Sequence, residues 1–197
     1  FRRRQTKTKV GERYKKLDSK GIRIKVREGD LWFWVNLDDF LDTGLFSDHR
    51  NTRVLISDLS AGKDVLNLFG YTGSFTCATA IGGARSTVTV DRSDTYLNWA
   101  ADNLKLNGLL NKKHEFVQSD AFRFLINASK DKRRFNLAFV DPPSFFNDRN
   151  KNVSFDINND HPGLIRSVTQ LMIPGSMLFF STNHQRFDPF FDNLPIK

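Results

Sequence analysis

The run Asp141-Pro142-Pro143-Ser144-Phe145 combines residue types that an ordinary turn does not need together. It follows Arg134-Phe-Asn-Leu-Ala-Phe-Val140, an apolar stretch of buried-strand composition. Two consecutive prolines remove two backbone N–H donors and stiffen the chain. Asp141 and the neighbouring carbonyls are then held as acceptors, and Phe145 offers a flat face for a planar ring. Rigid acceptors beside a stacking surface suit methyl transfer to a nitrogen of a nucleic-acid base.

Three other loops carry residues suited to a nucleoside-containing ligand. Asn67-Leu-Phe-Gly-Tyr-Thr-Gly-Ser-Phe75 places two glycines around a tight turn before a helix, so backbone N–H groups and the helix N-terminus face any carboxylate there. Its spacing is neither GxGxxG nor GxxxxGK[ST], so it does not read as a phosphate cradle. Asp91 closes an apolar run about 20 residues further on, where a carboxylate accepts both hydroxyls of a ribose. The alternative is a helix N-cap, a role that Ser93 or Asp94 could also fill. Ser119-Asp120-Ala121-Phe122 sets a carboxylate and an aromatic where an adenine amine and ring would lie, again with a helix cap as the alternative.

These loops belong to a repeating pattern of strand, turn and helix. Strands are predicted at 64–69, 86–91, around 115–117, at 134–140 and at 176–181. Helices are predicted at 74–81, 95–107, 121–128 and around 163–172. Such alternation gives an α/β, doubly wound, mostly parallel sheet covered on both faces, whose ligands bind beyond the carboxyl ends of the strands. Ahead of it, residues 21–37 alternate as a β-hairpin turning at Glu28-Gly29-Asp30, with Trp32 and Trp34 on one face. That pair reads as a packed hairpin face before it reads as a base-stacking platform. Residues 2–16 form a basic arm, either solvated or in contact with RNA. The chain divides into 1–50, comprising arm, hairpin and a closing loop, and 51–197, a catalytic domain.

The 197 residues suffice for one such domain with a small appendage. A formal charge of +8 favours an anionic partner, nucleic acid first. No apolar run approaches the roughly 20 residues of a membrane span, and Phe1-Arg-Arg-Arg4 opens no signal peptide. A single cysteine, Cys77, excludes an internal disulfide and a cysteine-based zinc site. No metal site and a cytoplasmic location are expected. Lacking an initiator Met and ending where another strand would begin, the chain reads as a piece of something longer.

In order, LNLFGYTGSF, STVTVD, SDAF and DPPSF resemble the successive motifs of class I, Rossmann-like, S-adenosylmethionine-dependent methyltransferases. LDTGLFSDHR (41–50), GGARSTVTVDRSDTYLNWAADNLKLNGL (82–109) and FDINNDH (155–161) narrow the likeness. Together they are similar to the guanine-N7-methylating C-terminal halves of the bacterial bifunctional 23S rRNA guanine-N2/N7 methyltransferases. The resemblance spans essentially the whole chain. It implies that Asn67, Phe69, Gly70, Tyr71, Thr72 and Gly73 surround the methionine part of the cofactor. Asp91 would bind the ribose, with Arg92 and Ser93 nearby, and Asp120 and Ala121 would face the adenine. Asp141, Pro142 and Pro143 would border the methyl group, and Phe145 would lie beside the target base. Phe46, Asp48 and Arg50 would belong to a loop closing over the cofactor. The family sheet has seven strands and only five are legible, so the last two are expected to be missing. A second methyltransferase half would precede Phe1.

Guanine N7 has an unprotonated in-plane lone pair, so its methylation needs alignment and no general base. His49, His114, His161 and His184 are therefore expected to be structural or RNA-contacting, His114 being the plainest bystander. Asn183, after the fifth strand, is expected near the base pocket. Transfer to an exocyclic amine suits the DPPSF acceptors equally well. A thiolate route to cytosine C5 would require Cys77, whose place within a helix argues against it. A noncatalytic RNA-binding module is the rival from another class, and a nicotinamide dehydrogenase a weaker one.

Overall fold

A computed structural model describes residues 20–148, 153–192 and 194. The basic arm at 2–16 lies outside them. The hairpin consists of β1 (Ile24–Glu28) and β2 (Leu31–Val35), paired antiparallel with Glu28 opposite Leu31. Alternation along β2 buries Leu31, Phe33 and Val35 and turns Trp32 and Trp34 outward, the period-two expectation. The Lys25 ammonium lies 4.4 Å from the Trp32 ring centroid, so the ring is covered by its cross-strand neighbours.

A 3-10 turn at Ser47–His49 leads into α1 (Arg50–Asp58), a helix additional to those the sequence pattern predicts. Then come β3 (Asp64–Leu68), α2 (Ser74–Ile81), β4 (Ser86–Asp91), α3 (Asp94–Leu106), β5 (His114–Gln118), α4 (Ala121–Lys130) and β6 (Phe135–Val140). A second hairpin, β7 (Phe145–Asp148) and β8 (Val153–Asp156), precedes α5 (Ile157–Thr169) and β9 (Met172–Phe180).

The main sheet is parallel throughout, in the order β5-β4-β3-β6-β9. The five strands are those the sequence pattern predicts, β9 starting four residues earlier than expected. Central strands β3 and β6 are buried almost end to end, as a sheet covered on both faces requires. Leu66, Leu68, Val88, Val140, Phe124, Leu164 and Val168 fill the core beneath α4 and α5. Phe33, Cys77, Ala78 and Leu104 join the first hairpin to α2 and α3.

Two further features differ from expectation. Helix α5 begins six residues ahead of Gly163, and its N-cap Asp156 accepts a hydrogen bond from Asn158 N at 3.0 Å. Pro162 lies within this helix, not before it. The β7–β8 hairpin arises because Phe146 stacks on Phe155 with ring planes 12° apart, a cross-strand pairing the local sequence does not announce.

Candidate active site

Strand order reverses around β3: β4 and β5 follow on one side, β6 and β9 on the other. A crevice therefore opens beyond the carboxyl ends of β3 and β6. The cleft there, about 30 Å³, is lined by Phe46, His49, Arg53, Asn67, Phe69, Gly70, Tyr71, Ser74, Phe75, Phe139 and Asp141. A larger hollow of about 340 Å³ opens beside Ser93 and Tyr96, but none of the proline-loop residues reaches it.

The glycine loop is held in an unusual backbone. Phe69 and Tyr71 adopt positive φ of 60° and 46°, conformations that side chains with a Cβ rarely take. Surrounding bonds impose them. Gly70 N donates to Val90 O, Gly73 N to Gly70 O, and Tyr71 N to Asp91 Oδ2, each at 2.9 Å. A Cβ on Gly70 would come within 2.4 Å of Thr89 Cγ2, so the loop is pressed onto β4. Asn67 is buried and donates to Thr76 Oγ1 at 2.9 Å, fastening α2 to β3 while lining the cleft. Thr72 is buried too, its hydroxyl donating to Gly44 O at 2.6 Å, so it shapes the loop from behind. Gly73 is the left-handed N-cap of α2.

Asp91 receives Tyr71 N on one carboxylate oxygen and Ser93 N on the other, both at 2.9 Å. Burial pushes its carboxyl above the ordinary range, opposed by these backbone donors. The capping alternative falls to Ser93, whose hydroxyl accepts from Tyr96 N at 3.3 Å. Asp120 does cap: its Oδ1 accepts from Phe122 N and Arg123 N at the start of α4. Ala121 is the buried first residue of that helix. Arg92 places its guanidinium 5.1 Å from the Phe146 ring centroid, spanning from β4 to the second hairpin.

Pro142 is buried, Pro143 half-buried and Phe145 45% exposed, so the proline loop presents one aromatic outward. Ser144 Oγ donates to Asn183 Oδ1 at 2.7 Å, which brings the turn after β9 against this loop. In the loop before α1, Phe46 reaches the cleft and packs against Tyr71 with centroids 5.3 Å apart. Asp48 and Arg50 are exposed and do not line it. His49, read from the sequence as structural or RNA-contacting, and Arg53, which the sequence does not single out, do line it. His49 Nε2 lies 3.5 Å from Asp141 Oδ2 and 3.3 Å from Ser181 Oγ.

Two further histidines, the buried His161 and the half-buried His114, bond within the fold. His161 is fully buried; its Nε2 accepts from Phe190 N, which leaves Nδ1 to donate to Ile157 O. His114 bonds Thr87 Oγ1, and burial lowers its pKa. Cys77 is fully buried, which pushes its thiol far up and removes it as a thiolate nucleophile.

The family profile described as S-adenosylmethionine-dependent methyltransferase matches residues 17–193. The chain belongs to that family. Among curated relatives, it is 46% identical over 189 residues to "Ribosomal RNA large subunit methyltransferase K/L" of Syntrophotalea carbinolica, covering 96% of this chain and 26% of that one. It is 45% identical over 185 residues to "Ribosomal RNA large subunit methyltransferase K" of Neisseria meningitidis, covering 94% and 52%. This methyltransferase thus spans about a quarter to about a half of those relatives' lengths. Among solved structures, the methyltransferase SMU.776, complexed with S-adenosylhomocysteine, superposes with a TM-score of 0.78 at 32% identity, over 85% of this chain and 43% of that one. A methyltransferase from Streptococcus mutans gives 0.76 at 29% identity, over 84% and 43%.

The methyltransferase's cofactor is S-adenosylmethionine, and the residues present suit it. The crevice is lined by a tight glycine loop ahead of α2 and by Arg53, whose buried Nη1 bonds nothing among the described residues. Behind the loop, the Asp91 carboxylate at the end of β4 accepts from Tyr71 N. Among those residues, no helix is long and apolar enough to cross a membrane.

Proposed function

We propose that this methyltransferase acts on ribosomal RNA of the large subunit, at N7 of a guanine in 23S rRNA. The observation that carries this reading is the junction of the proline loop with the turn after β9. The Ser144–Asn183 hydrogen bond at 2.7 Å sets Asn183 against Asp141-Pro142-Pro143, with an exposed Phe145 beside them. The relatives' names supply the RNA class. By the same likeness, the chain acts as one half of a protein that carries a second methyltransferase.

In this reading Phe69, Gly70 and Tyr71 hold the methionine part of the cofactor and Asp91 its ribose, with Arg92 and Ser93 beside it. Asp120 and Ala121 border the adenine, and Phe46 closes over the cleft. When bound, S-adenosylmethionine supplies an electrophilic methyl group. The chain's own residues align the acceptor, and alignment of this kind is worth roughly 7–11 kcal/mol. The major groove of A-form RNA is too narrow to admit the site, so the guanine enters unpaired or flipped out and stacks on Phe145. Asp141 and the proline-loop carbonyls accept from the edge of the base that carries its N–H groups. His49 beside Asp141 is a donor, which suits the acceptor O6 of the opposite edge and leaves the N7 lone pair free to attack the methyl group.

The test is nucleoside mass spectrometry of unmodified 23S rRNA incubated with S-adenosylmethionine and the protein. New N7-methylguanosine that disappears with Asp141→Ala is the expected result. N2-methylguanosine or N6-methyladenosine would instead assign the acceptors to an exocyclic amine. Asn183→Ala should lower turnover more than cofactor affinity; equal losses in both would remove Asn183 from the base pocket.

A further inference from the structure

Arg53 carries a donor that the described residues do not use. Its side chain is 3% exposed, on α1, and its guanidinium lies 5.7 Å from the Phe75 ring centroid. Nε and Nη2 grip the two oxygens of Glu28 at 2.7 and 2.8 Å, and Nη2 also donates to Phe46 O at 2.9 Å. Nη1 is buried and makes no hydrogen bond among the described residues. A desolvated guanidinium nitrogen without an acceptor is costly, and folded proteins rarely keep one.

The residue lines the crevice next to Phe46, His49, Asn67 and Tyr71, so an acceptor entering that crevice meets it. Ser74, the first residue of α2, lines the same crevice and brings the positive end of that helix to it. A buried guanidinium nitrogen and a helix N-terminus both favour an anionic acceptor such as a carboxylate. The glycine loop, where the methionine part of the cofactor is assigned, lines the same crevice through Phe69, Gly70 and Tyr71.

We propose that Arg53 binds the methionine carboxylate of S-adenosylmethionine through Nη1, and that Glu28 holds the guanidinium in position for it. The inference rests on that placement of the cofactor. It makes the first hairpin a component of the cofactor site, because Glu28 closes β1 while Arg53 stands on α1. It also makes the carboxylate a point of selection, since an analogue lacking it leaves Nη1 unserved.

The experiment compares equilibrium binding of S-adenosylmethionine with that of its decarboxylated form, which retains the sulfonium and the amine. The whole chain is used as wild type, Arg53→Gln and Arg53→Lys. Wild type should prefer the carboxylated form by about tenfold or more, the range of a charge-assisted hydrogen bond. Arg53→Gln should bring the preference close to one by weakening the carboxylated form far more than the decarboxylated form, whereas a purely structural role for Arg53 would weaken both alike and keep the preference. A wild-type preference near one, or an undiminished preference in Arg53→Gln, overturns the assignment. Should Arg53→Gln fail to fold, Arg53→Lys decides. Lysine keeps the charge without the fork, so a partial loss supports the assignment and a full preference overturns it. If wild type binds neither form, the placement of the cofactor in this crevice falls, and the Arg53 assignment with it.

Discussion

His49 is placed to respond to pH. Asp141 beside it raises its pKa above the ordinary 6.5, against the opposing effect of burial, with Asp48 adding to the rise and Arg53 reducing it. The ring packs edge-on against Phe75 and Phe139, 5.5 and 5.8 Å away, so it is held in place in either charge state. Because the native state binds the proton more tightly than the unfolded chain, the contact stabilises fully below about pH 6.5 and fades as pH rises through the folded value. At 3.5 Å, with partial exposure, it is worth about 1 kcal/mol or less. Urea unfolding of wild type and His49→Gln at pH 5.5 and 8.5 should show the larger difference at pH 5.5. An equal difference at both would mean that the pair carries no charge effect. At Asp91, the bonds to Tyr71 N and Ser93 N shape the loop as well as the ribose site. Asp91→Ala should therefore weaken S-adenosylhomocysteine binding by about tenfold or more, read by calorimetry; an unchanged affinity would end the ribose assignment.

Helix α3 does more for the site than fill space. Asn103 Oδ1 accepts from Trp34 N at 2.8 Å and its Nδ2 donates to Thr72 O at 2.9 Å, so one buried side chain ties the first hairpin to the glycine loop. Asn107, one turn later, grips the hairpin without reaching the glycine loop, accepting from Trp32 N and donating to Trp32 O. The two amides thus occupy the free edge of β2, which would otherwise present unpaired backbone groups. Asn103→Ala leaves buried partners unserved on both elements and should cost about 2–3 kcal/mol in urea unfolding. A loss under about 0.5 kcal/mol, the size of an ordinary surface substitution, would show the link to be dispensable.

For the molecule as a whole, the formal charge of +8 makes a prediction that does not depend on any single side chain. If RNA is the substrate, the logarithm of affinity should fall linearly with the logarithm of salt concentration. Each phosphate that the protein neutralises should add roughly 0.7–0.9 to the steepness of that slope. A flat dependence in filter binding would remove the electrostatic share of RNA recognition. The same surface has exposed Ile22, Phe190 and Phe191, so charge is not its only feature.

The five parallel strands and the placement of the glycine, Asp91, Asp120 and proline loops at their ends were legible in the sequence by itself, because apolar runs, turn residues and prolines act locally. Local pattern also narrowed the cap of α3 to a few residues, but only the fold assigned it to Ser93. Helix α1 was not legible: Val54 and Leu55 are exposed and Ile56 is its one buried apolar residue, so too few apolar positions mark a core-facing side. The β7–β8 hairpin was missed because it is held by an aromatic pair formed only once the strands meet. His49 and Arg53 entered the site for the same kind of reason. Arg53 is directed by Glu28, 25 residues earlier, and His49 meets Ser181, 132 residues later. Sequence determined which loops stand at the carboxyl edge; tertiary packing alone decided which side chains from a distant helix would close the crevice, because burial and ion pairing act between residues that the chain order keeps apart.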